Sequence, residues 1–285
     1  MNEYALEIKN LNTSFKDFSL KNITLTLNKG CIMGLIGENG AGKTTLIKSI
    51  MNMYYAKDGR ICVFGHDHVD DEVIVKNLIG YVAAEDYFMP NYNLKILENY
   101  FKIFYDKWNI SLFNEYVKKW NLPKNKEFST YSKGMKTKAM LILALAHEPK
   151  ILLLDEPTAG LDPLIKTEIL DILRDFVADE EKSVLFSTHI TTDLDKVADY
   201  ITLIHNGTML ETDSIDNISE KYLFAAGSAA ILNKYKTFLV GAVEHNGLLE
   251  GIIKRNHANE LPKDQITLKQ PTIEELMIHL IKESR

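Results

Sequence analysis

The sequence predicts an α/β fold: a central sheet buried on both faces, an N-terminal antiparallel β subdomain, a helical subdomain, and a small C-terminal α+β extension. Three observations predict it. Cys31–Ile36 and Ile151–Leu154 are continuous apolar runs, as in strands covered on both faces. A glycine-rich segment joins the first run to a helical pattern. From about residue 91 to 148 the apolar residues change to helical spacing and aromatics become dense. With 285 residues, 46% of them apolar, the chain can bury a large core. A net charge of −6 gives no general attraction to nucleic acid or anionic lipid. No apolar run approaches the roughly 18 residues of a membrane span, and no basic segment followed by an apolar stretch signals secretion. Cys31 and Cys62 lie in strand-like segments and read as reduced core thiols, so a cytosolic protein is expected.

Ala5, Leu6, Ile8 and Leu11 read as a first strand. Ile23, Leu25 and Leu27 alternate with polar residues as in a half-buried second one. Asn28-Lys29-Gly30 turns the chain into the Cys31–Ile36 strand, and a helix is expected from about Lys43 to Met53. Asp58-Gly59 leads into a strand at Ile61–Phe64; His66-Asp67-His68 after it reads as a solvated turn rather than a metal site. Ile79–Ala83 reads as a further buried strand. Leu94, Leu97, Tyr100, Phe101 and Phe104 form a helical stripe in a helical subdomain, with a break at Asn121-Leu122-Pro123. Lys118, Lys119, Lys124 and Lys126 look like a solvated face, whereas Ala139–Ala146 reads as buried helix. The strand Ile151–Leu154, a helix over about Pro163–Asp179, and strands at Val184–Ser187 and Ile201–Ile204 complete a domain over 1–214. In the extension, 215–285, apolar runs flank His245-Asn246-Gly247, a hairpin signal. Thr272-Ile273-Glu274-Glu275 is a capping box opening a last helix.

Gly37-Glu38-Asn39-Gly40-Ala41-Gly42-Lys43-Thr44-Thr45 fits the P-loop (Walker A) pattern between a buried strand and a helix, which makes the fold a P-loop NTPase core. Its glycines let successive N–H groups point at phosphate oxygens, and the helix start adds its positive dipole end. Gly37, Asn39, Gly40, Ala41, Gly42, Lys43, Thr44 and Thr45 are thus candidate ATP-binding residues. Lys43 can reach the β- and γ-phosphates and the Thr44 hydroxyl can ligate Mg2+. Asp155 and Glu156 end a buried strand, at the edge where ligands of open α/β sheets bind. Asp155 suits Mg2+, and Glu156 suits the base that polarises an attacking water.

Three more segments occur in order: Tyr131-Ser132-Lys133-Gly134-Met135 opening a helix, Ala159-Gly160-Leu161-Asp162, and Ser187-Thr188-His189. With them the sequence resembles the nucleotide-binding domain of ATP-binding cassette (ABC) proteins over roughly residues 3–215. The resemblance implies that Ser132, Lys133 and Gly134 are the signature motif, touching the γ-phosphate held by an opposite subunit. It implies that Asp162 is the D-loop aspartate coupling two sites, His189 the switch histidine beside the γ-phosphate and water, and Phe15 the aromatic on adenine. Lys133 stands where the family usually has glycine. The family's Mg2+-binding glutamine after the Ile79–Val82 strand is replaced within Ala83-Ala84-Glu85-Asp86; Ala84 or Glu85 takes its place, and Glu85 could still ligate the metal. The aromatic stretch 87–105 is either core or part of a groove for a partner helix.

The resemblance implies an Mg-dependent ATPase subunit of an ABC transporter, closing as a homo- or heterodimer around ATP. It would be peripheral to the inner face of the membrane and move a separate multi-span permease. The Ser-Lys-Gly-Met signature and the ending Gln270–Leu276 resemble single-cassette subunits of bacterial exporters, including exporters of antimicrobial or toxic peptides. The competing expectation is a soluble ABC ATPase acting on ribosomes or nucleic acid; one cassette, no heptad run and negative charge oppose it. A P-loop kinase or switch is opposed by the signature, D-loop and histidine together.

Overall fold

In the computed structural model, residues 4–262 and 264–285 are described. The chain opens with antiparallel strands β1 (Tyr4–Ser14) and β2 (Ser19–Asn28). Leu20, Ile23, Leu25 and Leu27 of β2 are buried while Thr24 and Thr26 are exposed, the period of two that the sequence displays. β3 (Ile32–Ile36) is wholly buried and runs through the glycine loop into α1 (Lys43–Ile50). α1 stops short of the expected Met53: Asn52 has φ 55, a left-handed conformation outside the right-handed helical region. β4 (Asp58–Val63) and β5 (His66–Asp67) complete an antiparallel sheet of order β2-β1-β4-β5.

His66-Asp67-His68 is not the solvated turn expected. His68 is buried, and Asp67 accepts a hydrogen bond from Arg60 Nε at 2.9 Å. Among the described residues, no group of three or more His, Cys, Asp or Glu is arranged to hold a metal ion. Helix α2 (Glu72–Leu78) was not expected: it is seven residues long, and its apolar Val73 and Ile74 stay exposed while Val75 is buried.

β6 (Ile79–Val82) leads to the helices α3 (Leu94–Phe104), α4 (Ile110–Lys119) and α5 (Lys133–Leu145). Asn93 and Asn109 cap the first two, accepting from the N–H groups of Ile96 and Leu112. Their core centres on Leu94, Leu97, Phe113, Phe128 and one face of α5. Lys124 does not belong to a solvated face: its ammonium sits 2.8 Å from the buried Glu98 carboxylate and 4.8 Å over the Phe113 ring. A buried carboxylate needs such a partner.

β7 (Ile151–Asp155), α6 (Pro163–Val177), β8 (Ser183–Thr188), the one-turn α7 (Thr191–Leu194), β9 (Tyr200–His205) and β10 (Thr208–Ser214) follow. The central sheet has the order β10-β9-β3-β8-β7-β6, parallel except for β9–β10. Alternate residues enter different cores. Ile32, Ile36, Leu152 and Leu154 meet α5 and α6, while Met33, Leu35, Ile151 and Leu153 meet α1 and the N-terminal sheet. Two covered faces explain the unbroken apolar runs.

After α8 (Ile215–Lys221), strands β11 (Tyr222–Ser228), β12 (Leu239–His245), β13 (Leu248–Lys254) and β14 (Ile266–Lys269) form an antiparallel sheet of order β12-β13-β11-β14. The one-turn α9 (Ala229–Leu232) follows β11. Asn246 and Gly247 turn the β12–β13 hairpin with φ 51 and 79. The sequence did not announce β11 and β14, which are respectively alanine-glycine-rich and four residues long. Helix α10 (Ile273–Glu283) starts from Thr272, whose capping box is complete. Its Ile273, Leu276 and Ile281 share one core with β3, β7 and β8. Among the described residues no helix is long and apolar enough to cross a membrane.

Candidate nucleotide-binding site

The C-terminal ends of β3, β7 and β8 bring the loop 37–42, Asp155-Glu156 and His189 to one edge of the sheet. Gly42 precedes α1 with φ 116, a conformation that disfavours a side chain. A Cβ there would also come within 2.8 Å of Phe18 and 2.9 Å of Leu20. Gly37 packs so closely that a Cβ would collide with the Ile204 carbonyl. Gly40, by contrast, faces open space.

Lys43 is buried to 5% exposure. Its ammonium donates to the carbonyls of Gly37 at 2.8 Å and Glu38 at 3.3 Å, and lies 3.2 Å from Glu156 Oε1. Glu156 Oε2 is 2.8 Å from His189 Nδ1. A chain Lys43–Glu156–His189 thus crosses the mouth of the site. Glu156 is left-handed, with φ 51. Ser187 holds it there: the Glu156 N–H donates to the Ser187 carbonyl at 3.1 Å and to its Oγ at 3.0 Å. The Ser187 hydroxyl in turn donates to Asp155 Oδ1 at 2.7 Å, which fixes the buried Asp155 carboxylate.

A cavity of about 460 Å3 opens over this edge, lined by Asn39 to Thr45, Glu156, and the aromatics Phe15, Phe18 and Tyr54. Phe15 is 40% exposed and meets Tyr54 edge-on, ring centroids 5.0 Å apart. Sequence reasoning named Phe15 but missed Phe18, Tyr54 and Ser187. Ser187 had one signal, a small hydroxyl ending a buried strand; Tyr54 had none. Thr44 and Asp155 offer a hydroxyl and a carboxylate, hard oxygen donors of the kind that Mg2+ takes once or twice from a protein beside substrate phosphates.

The remaining predicted residues lie elsewhere. Ser132 caps α5, accepting from the Met135 N–H at 3.3 Å, and is absent from the cavity lining. Gly134 is buried where a Cβ would collide with Ile165 of α6. Lys133 reaches over Gly160, whose φ is 67. Asp162 caps α6, accepting from the Ile165 N–H at 3.1 Å. Ala84, Glu85 and Asp86 line a different depression of about 400 Å3, with Tyr131, Lys133 and Lys136. Glu85 therefore does not line the cavity that Thr44 lines. The phenol of Tyr81, buried on β6, is pushed up by burial and, less, by Asp155.

A glycine loop between buried strand and helix, with strand-end carboxylates and a histidine facing its lysine, defines the class of P-loop nucleotide-binding proteins. Residues 20–159 match the family model described as ABC transporter, and the chain belongs to the ATP-binding proteins of that family. It is 30% identical to the ABC transporter ATP-binding protein YtrB of Bacillus subtilis (strain 168) over 204 residues, 72% of this chain and 70% of that protein. It is 31% identical to the bacitracin transport ATP-binding protein BcrA of Enterococcus faecalis, covering 77% and 72% of the two. Among solved structures, an ATP-binding subunit of an ABC transporter superposes with a TM-score of 0.69 at 26% identity, over 75% of this chain and 91% of that one.

Proposed function

We propose that this chain is the Mg-ATP-hydrolysing subunit of an ABC exporter, with a catalytic unit over 1–214 and an extension over 215–285; residues 1–3 lie outside the described residues. The observation that carries the reading is the Lys43–Glu156–His189 chain at the mouth of the aromatic-flanked cavity. Loop N–H groups and Lys43 hold the triphosphate, and adenine rests against Phe15. Thr44 and Asp155 would hold Mg2+, which supplies charge neutralisation on the phosphates when bound. Glu156 and His189, already hydrogen-bonded to each other, orient the attacking water and take its proton. Chemistry of this kind is mostly positioning and electrostatics.

Ser132, Lys133 and the N–H groups at the start of α5 form a second anion-binding segment, separate from the first. We assign it to the γ-phosphate of a second subunit, with Asp162 at the joint. ATP then meets both segments only in a closed dimer, so closure follows from differential binding. Glu85, in the other depression, is assigned to the face that meets a separate membrane permease, which would hold the chain at the inner face of the membrane. The cargo is read as a peptide to be expelled, a reading supported by the Ser132–Met135 and Gln270–Leu276 segments and compatible with the likeness to a protein named for bacitracin transport.

Glu156→Gln tests this. ATP binding should persist and turnover should fall by roughly 100-fold or more. A stable dimer should accumulate with Mg-ATP, read by light scattering. A variant that stays monomeric at saturating Mg-ATP refutes the sandwich.

A further inference from the structure

A carboxylate inside an anion-cradling loop needs an explanation. Glu38, the acidic residue of the segment 37–45, would repel a triphosphate. In the folded chain its carboxylate is met from the C-terminal extension and from the end of β9. Arg285 Nη2 lies 3.1 Å from Oε1 and 3.2 Å from Oε2, and His205 Nδ1 lies 3.5 Å from Oε2. Glu38, Lys282 and Arg285 share a cleft of about 140 Å3 between the loop and α10.

The placement of α10 is not loose. Its start carries a complete capping box. Midway, His279 Nδ1 sits 2.8 Å from the Gly241 carbonyl of β12, and Glu283 Oε2 accepts the Gly241 N–H at 2.7 Å. Gly241 has φ 58, and a Cβ there would run into the His279 carbonyl. Leu276 and Ile281 are buried in the core shared with the central sheet. The C-terminal sheet therefore sets the register of α10, and α10 sets where Arg285 reaches.

We propose that Arg285 is a positioning residue of the nucleotide site: α10 carries its guanidinium to Glu38, cancels the charge of that carboxylate beside the phosphates, and so couples ATP affinity to the seating of the C-terminal extension. The inference rests on residues 37–45 being the triphosphate loop. Arg285 and Glu38 are 60% and 47% exposed at their side chains, so the effect is modest and screened by salt.

The test is binding of a fluorescent ATP analogue to the full chain at about 20 mM and about 500 mM NaCl, conditions on either side of strong screening. Arg285→Gln should weaken binding roughly 2- to 5-fold at low salt, with most of the difference gone at high salt. Arg285→Lys should bind like the parent. Glu38→Gln added to Arg285→Gln should restore affinity, a result that a merely structural role of Arg285 would not produce. Unchanged affinity of Arg285→Gln at low salt overturns the proposal. So does a loss that persists at high salt and is not rescued by Glu38→Gln. Lys43→Ala separates the two levels: if it binds normally, the triphosphate loop itself is misassigned; if it loses binding while Arg285→Gln is unaffected, only the role of Arg285 falls.

Discussion

Glu156 shows how one residue ties backbone strain to chemistry. A left-handed non-glycine residue costs on the order of 1–3 kcal/mol, and here two hydrogen bonds from its N–H to Ser187 over-determine it. The result is a carboxylate aimed between Lys43 and His189. The aromatic end of the cavity is less constrained, with Phe15 exposed. Phe15 is propped edge-on by Tyr54, whose ring also lies 5.5 Å from the Lys48 ammonium. An edge-to-face aromatic pair is worth about 0.5–1.5 kcal/mol. Tyr54→Ala should therefore raise the KM for ATP by roughly 2- to 10-fold with little change in kcat. Tyr55→Ala, at an exposed neighbour outside the cavity, should leave both unchanged. Steady-state ATP titrations of the two variants check this. The placement of Lys43, Asp155 and Glu156 at one edge was legible because each sits in a local motif. Tyr54 was not: it lies past the end of α1, and only the turn after β1 brings Phe15 to it.

At the scale of elements, the starts of α5 and α6 are built as one unit. Ser132 and Asp162 cap the two helices, Gly134 lets Ile165 pack onto α5, and Lys133 spans to Gly160. The sequence showed these segments as separate motifs; it could not show that Gly134 is occupied with helix packing. Asp162→Ala should lower stability by about 1 kcal/mol through loss of the cap, whereas Asp162→Asn should retain it, since Asn caps equally well. Urea unfolding midpoints of the two variants decide the matter. If Asp162→Ala unfolds at the parental midpoint, the cap is not contributing. The strands β11 and β14 and helix α2 escaped the sequence for one reason. Each is short or weakly apolar and acquires its form from neighbours rather than from its own periodicity.

Across the whole molecule, four histidines are buried among the described residues, and two of them, His147 and His68, have rings whose protonation burial opposes. His147 stacks on Tyr105 at 3.9 Å, and its Nε2 lies 3.0 Å from the Ile79 carbonyl. Burial, the largest cause, holds the His147 and His68 rings below the usual histidine range. The unfolded chain titrates these groups near about pH 6.5, so below that pH the unfolded state binds more protons than the folded one and stability is lost. Carboxylates held low by partners, such as Glu275 beside Lys269, act only below about pH 4.5. Between about pH 7.5 and 5.5 the histidines should therefore dominate. His147→Gln should flatten the fall of the urea midpoint over that range, and an unchanged slope would rule His147 out as a cause.

The sequence by itself determined the glycine-rich loop motif, the strand-end carboxylates, a histidine just past the end of another strand and the two-faced burial of the central strands. Each is written in a contiguous segment, and contiguous chemistry needs no knowledge of neighbours. Only the tertiary structure decided that Tyr54 meets Phe15, that Ser187 fixes Asp155 and Glu156, that Glu85 and Thr44 line different depressions, and that α10 shares the central core and leaves Arg285, just past its end, at Glu38. These are contacts between residues distant in the chain. They arise from packing and strand order, which no local pattern encodes.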